Sequence, residues 1–208
     1  MAQKFLIDGP ENSRCSILLA HGAGAPMDSP AMNAITRSLA EVGLRVARFE
    51  FSYMASRRTS SGRRPPPRGE TLNPEYVAAI AALKARGSLI IGGKSMGGRV
   101  ANMIADERGA AGLLCLGYPF HPVGKPTQLR TAHLADLKTP TLVVQGTRDP
   151  FGTREEVAGY KLSKAIEILW LEDGDHDLRP RKSVSGFSMA DHLKTMAEKT
   201  AAWAEKIT

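Results

Sequence analysis

Gly93-Lys94-Ser95-Met96-Gly97 reads G-x-S-x-G and directly follows an apolar run, Leu89-Ile90-Ile91. The run predicts a strand, and the motif behind it predicts a sharp strand-to-helix turn with a serine at its apex. Such a turn forces the serine into a strained backbone conformation. Glycines two residues to either side let the neighbouring backbone pass without collision. The hydroxyl then stands exposed at the strand end, near the N-terminus of the next helix. The motif is short and recurs by chance, so its meaning depends on the rest of the chain. Asp149 and His176 follow in the order Ser, Asp, His, an order in which a nucleophile, an orienting carboxylate and a base occur together.

Outward from that turn, apolar runs alternate with helical patterns. Strands are expected at Lys4–Ile7, Cys15–Ala20, Leu44–Phe51, Ser88–Gly92, Gly112–Leu116, Thr141–Gln145 and Ile166–Leu171. Several are continuously apolar, as in parallel strands covered on both faces. Between them, Ser29 can cap a helix with Pro30 at its first position, an apolar stripe of Met32, Ile35, Leu39 and Val42, and Gly43 as its stop. Asn73-Pro74 opens a second helix with Tyr76, Ile80 and Leu83 on one face and Gly87 at its end. Thr153-x-x-Glu156 is a capping box before Val157 and Tyr160. Leu193, Met196, Thr200, Trp203 and Ile207 recur at helical steps in the last segment. The alternation predicts an α/β fold over residues 1–208 as a single domain. It would have a mostly parallel sheet, helices on both faces, and ligands bound beyond the carboxyl ends of the strands.

The 208 residues suffice for a core without disulfides or metals. Cys15 and Cys115 lie in apolar runs and read as reduced core thiols, which implies a cytosolic protein. No stretch approaches the ~20 apolar residues of a membrane span, and the N-terminal residues lack a signal peptide's long apolar segment. The formal charge of +7 is concentrated: residues 57–68 hold Arg57, Arg58, Arg63, Arg64 and Arg68 and no acid. The basicity therefore belongs to one loop, marked by Pro65-Pro66-Pro67, and argues against a specific nucleic-acid partner. As an exposed loop following a strand it is either solvated or attracts an anionic acyl or leaving group, with Arg57 and Arg58 as candidate contacts.

Ser95 is the candidate nucleophile and needs a base, since a serine hydroxyl reacts poorly at neutral pH. His176, in the polar stretch Glu172-Asp173-Gly174-Asp175-His176-Asp177, is the candidate base. Asp149, just past the strand Thr141–Gln145, is the candidate orienting carboxylate. His21-Gly22-Ala23-Gly24-Ala25 follows the strand Cys15–Ala20 and can turn a backbone N–H toward the serine. Ala23 and Met96 are the expected oxyanion donors. His21, Gly22, Tyr53 and His121 are candidates for lining a substrate pocket, and His192 is expected at the surface of the last helix. Two other chemistries fit poorly. Gly93-Lys94-Ser95 ends like a phosphate-binding loop, but Leu89 to Gly92 read as strand where that loop needs free amides. Asp173, Asp175 and Asp177 suggest a cation, but without a calcium loop's full spacing.

Together these motifs resemble the α/β-hydrolase superfamily. Within it the chain resembles a small group that includes testis-expressed protein thirty and subunit three of the non-specific-lethal chromatin complex. The resemblance is carried by His21–Ala25, Arg48–Met54, Gly93–Arg99, Gly117–Pro122 and Gln145–Asp149. The group is also similar to dienelactone hydrolases, which carry a cysteine where this chain has Ser95. The resemblance implies the fold and a triad of Ser95, Asp149 and His176, with no metal or organic cofactor. The expected activity is hydrolysis of a small carboxylic ester or thioester, and the short stretch from Leu116 to Thr141 leaves little room for a lid. An acyltransferase with the same triad, or a non-catalytic interaction module, are the alternatives.

Overall fold

The computed structural model describes residues 3–59 and 65–208, so Arg63 and Arg64 lie outside the described residues. In chain order the elements are β1 (Leu6–Asp8), β2 (Cys15–Ala20), α1 (Pro30–Glu41), β3 (Arg45–Phe49), α2 (Ser52–Ser56), α3 (Asn73–Leu83) and β4 (Ser88–Lys94). Then come α4 (Met96–Arg108), β5 (Gly112–Leu116), β6 (Thr141–Gly146), α5 (Arg154–Val157), β7 (Ile166–Leu171), α6 (Lys182–Ser185) and α7 (Met189–Ile207). Short 3-10 turns occupy Gly69–Leu72 and Ala132–Leu134. The strands form one sheet in the order β1-β3-β2-β4-β5-β6-β7. All neighbours are parallel except β1 and β3.

Side chains alternate faces along a strand, and here both faces are buried. Leu18, Ile91, Leu113, Cys115 and Val143 pack on one side with Tyr76 of α3 and Val100, Ile104 and Ala105 of α4. Ile17, Leu19, Ile90, Leu114, Leu116 and Val144 pack on the other with Met32, Ile35 and Leu39 of α1 and Met196 and Trp203 of α7. This two-sided burial is why the strands read as unbroken apolar runs.

The helix ends follow from their capping residues. Ser29 Oγ accepts the Met32 N–H at 3.4 Å, and Pro30 starts α1. Val42 falls at the C-cap of α1 and is exposed, so the buried stripe ends at Leu39. Thr153 and Glu156 make the expected capping box. Ser188 and Asp191 make another, which fixes the start of α7. α3 ends earlier than its glycine suggests, because Lys84 itself turns left-handed (φ 47°) three residues before Gly87.

Among the strand ends that depart from expectation, two concern the site. β4 continues through Lys94, because its ladder with β5 extends to the Lys94–Leu116 pair. β3 stops at Phe49, and the Phe51 N–H leaves the sheet to donate to His21 Nε2 at 3.1 Å. The chain runs from β2 outward to β3 and then returns across β2 to β4, so strand order reverses between β2 and β4. In open parallel sheets a crevice forms at such a point. Register places Ala20 beside Gly93. The residues after each strand, His21-Gly22-Ala23 and Lys94-Ser95, therefore face one another.

Candidate active site

Ser95 sits between β4 and α4 with φ 51° and ψ −114°, a conformation that L-residues rarely adopt. Its N–H is tied to Leu116 O at 2.9 Å. The glycines of the motif are required by space: a Cβ at Gly97 would lie 2.5 Å from Ala20 O and 2.7 Å from His21 O, and one at Gly93 would also strike Ala20 O. The turn can therefore pass β2 only without those side chains.

His176 Nε2 lies 2.9 Å from Ser95 Oγ, and His176 Nδ1 lies 2.8 Å from Asp149 Oδ2. Asp149 is fully buried. Its Oδ2 also accepts from Gln145 Nε2 at 2.9 Å, and its Oδ1 accepts the Phe151 N–H at 2.9 Å. A buried carboxylate satisfied on both oxygens is held in one orientation, and it stays an acceptor for an imidazole N–H. The Phe151 ring lies 4.3 Å from the His176 ring and covers one face of it. Gln145 and Phe151 stand out only in three dimensions. Gln145 is the polar residue at the end of an otherwise apolar strand, and that polarity was the available signal.

The loop carrying His176 is tied down by the acids that in sequence suggest a cation. Asp173 accepts from Arg181 Nε (2.9 Å), the Arg181 N–H (2.6 Å) and Arg148 Nε (3.1 Å), and the Arg181 guanidinium with Arg148 holds its carboxyl down at about 2. Asp175 Oδ1 accepts the Asp177 and Arg179 N–H groups, both at 2.9 Å. Asp177 pairs with Lys94 Nζ at 3.3 Å. The three carboxylates thus face arginines, a lysine and amides. Lys94 is itself buried at the root of the turn, and that burial lowers its pKa. His192, expected at the surface, is instead buried on α7, with Nδ1 donating to Leu178 O of the same loop at 2.8 Å.

Opposite the serine, the His21–Ala23 turn is held by two rings. His21 Nε2 accepts the Phe51 N–H, so Nδ1 carries the proton and donates to Gly22 O at 2.6 Å; burial lowers its pKa and keeps the ring neutral. Tyr53 Oη donates to Ala23 O at 3.1 Å, and burial pushes its pKa up to about 12. His21 and Tyr53 therefore support the turn. His121 is buried, with Nδ1 2.9 Å from Pro122 O and Nε2 3.3 Å from Glu156 Oε2, which directs the ring to α5.

A cleft of about 430 Å³ opens beside Ser95, lined by Ala23 and Met96, by Pro66 to Glu70, and by Arg99, Pro119, Arg130 and Phe151. Arg57 and Arg58, expected from sequence as substrate contacts, do not line it. The Arg57 guanidinium lies over the Tyr53 ring, 5.2 Å from its centre. Arg58 binds Asp28 (2.7 Å) and Glu50 (2.7 Å), around a different cavity. The arginines that do line the cleft are Arg68, Arg99 and Arg130. Among the described residues no three His, Cys, Asp or Glu side chains converge as a metal site, and no helix is long and apolar enough to cross a membrane.

A sheet of this order with a serine–histidine–aspartate chain at its switch point defines an α/β-hydrolase. The chain belongs to the alpha/beta hydrolase domain family, whose model matches residues 13–205. It is 29% identical over 142 residues to ABHD14B of Rattus norvegicus, named a candidate protein-lysine deacylase; the match covers 67% of this chain and 64% of that protein. Among solved structures it is similar to a dienelactone hydrolase from Anabaena variabilis (TM-score 0.74, 20% identity, 99% of this chain and 92% of that one). It is also similar to XC6422 from Xanthomonas campestris, described as an α/β serine hydrolase without a lid (TM-score 0.71, 17% identity, 98% and 88%).

Proposed function

We propose that this protein is a serine hydrolase of small carboxylic esters or thioesters, acting through an acyl-enzyme on Ser95. The carrying observation is the continuous chain from Ser95 Oγ to His176 to buried Asp149, with contacts of 2.9 and 2.8 Å. In this reading His176 Nε2 takes the Ser95 proton as Oγ attacks the acyl carbonyl. Asp149 keeps the Nδ1 proton in place and offsets the imidazolium charge. The oxyanion is held by the N–H groups of Met96 and Ala23. Met96 is the first residue of α4, where backbone N–H groups lack intrahelical partners, and one such donor contributes about 3–4 kcal/mol to the transition state. His176 then returns the proton to the leaving group and activates water to release the acid.

Between β5 and β6, residues 117–140 carry only the short turn Ala132–Leu134 as regular structure. An open cleft of this size suits a small or protruding substrate rather than an enclosed long chain. On the stretches quoted above, we also place the chain in the group that includes testis-expressed protein thirty. Ser95 stands where dienelactone hydrolases carry cysteine, so their reaction is not proposed. The deacylase name of the rat relative makes acyl-lysine peptides part of the substrate panel.

The test is fluorophosphonate labelling read by intact mass. Wild type should gain one adduct, Ser95→Ala none, and His176→Ala and Asp149→Asn should label far more slowly. A folded wild type that stays unlabelled would overturn the reading.

A further inference from the structure

Arg99 lies one turn into α4 from the nucleophile, with its N–H bonded to Ser95 O at 3.1 Å. Residues four apart share a helix face, with Cβ atoms about 5–6 Å apart. Arg99 therefore lines the cleft on the serine's own face, and Arg130 and Arg68 line it from the loops before β6 and α3. Among the described residues the only carboxylate lining the cleft is Glu70, which pairs with Arg99 and is itself more than half exposed. Arg68 and Arg130 have no ion-pair partner among the described residues, and Arg99 Nε is buried without a hydrogen-bond partner. Three guanidiniums against one carboxylate leave a net positive cleft wall next to the reacting hydroxyl.

Several arginines elsewhere in this chain are neutralised. Arg48 meets Asp8, Arg58 meets Asp28 and Glu50, and Arg148 and Arg181 meet Asp173. In the cleft three guanidiniums share one carboxylate, and like charges brought together near an apolar surface persist at a cost unless an anion is bound. Arg130 is subject to both effects: burial and the nearby charge of Arg99 depress its pKa.

We propose that Arg99, Arg130 and Arg68 form an anion subsite, and that the substrate is an ester or thioester carrying its own carboxylate or phosphate group. This rests on the hydrolase reading and deepens it. Planar guanidinium forks bind either oxyanion in bidentate fashion. With the anion held there, the scissile carbonyl lies over Ser95 and the binding free energy serves orientation.

Two matched substrate pairs locate the charge. One carries it on the acyl chain: mono-4-nitrophenyl glutarate against its methyl ester. The other carries it on the leaving group: S-butyryl-4′-phosphopantetheine against S-butyrylpantetheine. Wild type should prefer the anionic member of one pair by about tenfold or more in kcat/KM. That preference should shrink with added salt and largely vanish in Arg130→Gln. Arg68→Gln, at an exposed rim position, repeats the test should Arg130→Gln fail to fold. Preference below twofold on both pairs, or a preference both variants retain, would overturn the subsite.

Calorimetric titration of glutarate and of 4′-phosphopantetheine into Ser95→Ala separates this inference from the hydrolase reading. Binding that disappears with Arg130→Gln, in a wild type that neither labels nor turns over esters, would keep the subsite and reject the hydrolase. Labelling and ester turnover, without anion preference or binding, would do the reverse.

Discussion

The loop that carries His176 and the segment that carries the arginines leave the same end of the sheet, yet they are held in different ways. The His176 loop is built around a nearly buried acid. Asp173 takes contacts from Arg148 and Arg181 and donates its own N–H to Thr147 Oγ1 at 2.8 Å, while His192 reaches up from α7 to Leu178. On the other side, in Arg58–Asp28 and Arg99–Glu70 the acid itself is exposed, by 42% and 55%, where Asp173 is buried. Proton transfer requires placement to within a fraction of an ångström, and buried networks supply it. Exposed pairs contribute little to stability and rearrange easily, which at Arg99–Glu70 suits a cleft wall that meets substrate.

The largest expected effect tests whether the rigid side carries the chemistry. Ser95→Ala should lower kcat by about a million-fold and Asp149→Asn by about 10,000-fold, with little change in melting temperature for Ser95→Ala. Asp173→Asn comes next. Removing the charge that holds Arg148 and Arg181 should displace His176 and reduce kcat by about 100-fold, since small misplacements near the reacting atoms are that costly. The same carboxylate sets a pH dependence. Its pKa is depressed from 3.8 to about 2, so the stability it contributes is complete above 3.8 and is lost as pH falls through about 2. Asp173→Asn should be less stable than wild type at pH 7 and flatter across that acidic window in thermal melts. Equal turnover by Asp173→Asn and wild type would break the comparison.

Sequence makes the rigid half readable because its signals are local. G-x-S-x-G, the capping boxes and the apolar runs each describe a few adjacent residues, and the order Ser95, Asp149, His176 picks out side chains that meet in space. The other half depends on long-range pairing. Nothing near Arg58 in sequence shows that it meets Asp28 and Glu50, and nothing near Arg130 shows that it faces a residue one turn from Ser95. The dense run of arginines drew attention to residues 57–68, but charge density does not say which guanidiniums are already neutralised. His192 reads as a surface residue for a related reason: its helical position is polar by composition, and only the loop packed on α7 buries it.

Lys94 lies where the two halves meet. Its ammonium is buried while its partner Asp177 is mostly exposed, so burial outweighs the pairing and lowers its pKa below 10.5. Between the lowered value and 10.5 the unfolded chain binds more protons, so stability should rise with pH there. Lys94→Met should raise the melting temperature at pH 7 by the equivalent of about 1 kcal/mol. It should also lower kcat about tenfold, because the His176 loop loses a tether. Loss of both stability and activity would mean that the ion pair is structural.

The smallest effect sharpens the boundary between arginines that support the fold and arginines that face substrate. Arg58 covers Glu50, whose remaining partner is the Met27 N–H at 3.2 Å. Arg58→Ala exposes that carboxylate to water rather than leaving it sealed, and because the arginine is itself about half exposed the pair is screened by solvent. The expected cost is about 1 kcal/mol in denaturant melts. The discriminating measurement is the anionic-to-neutral kcat/KM ratio on the two ester pairs, which Arg58→Ala should leave within twofold of wild type while Arg130→Gln collapses it. If Arg58→Ala collapses the ratio equally, the positive field of the whole loop steers substrate and no local subsite is needed.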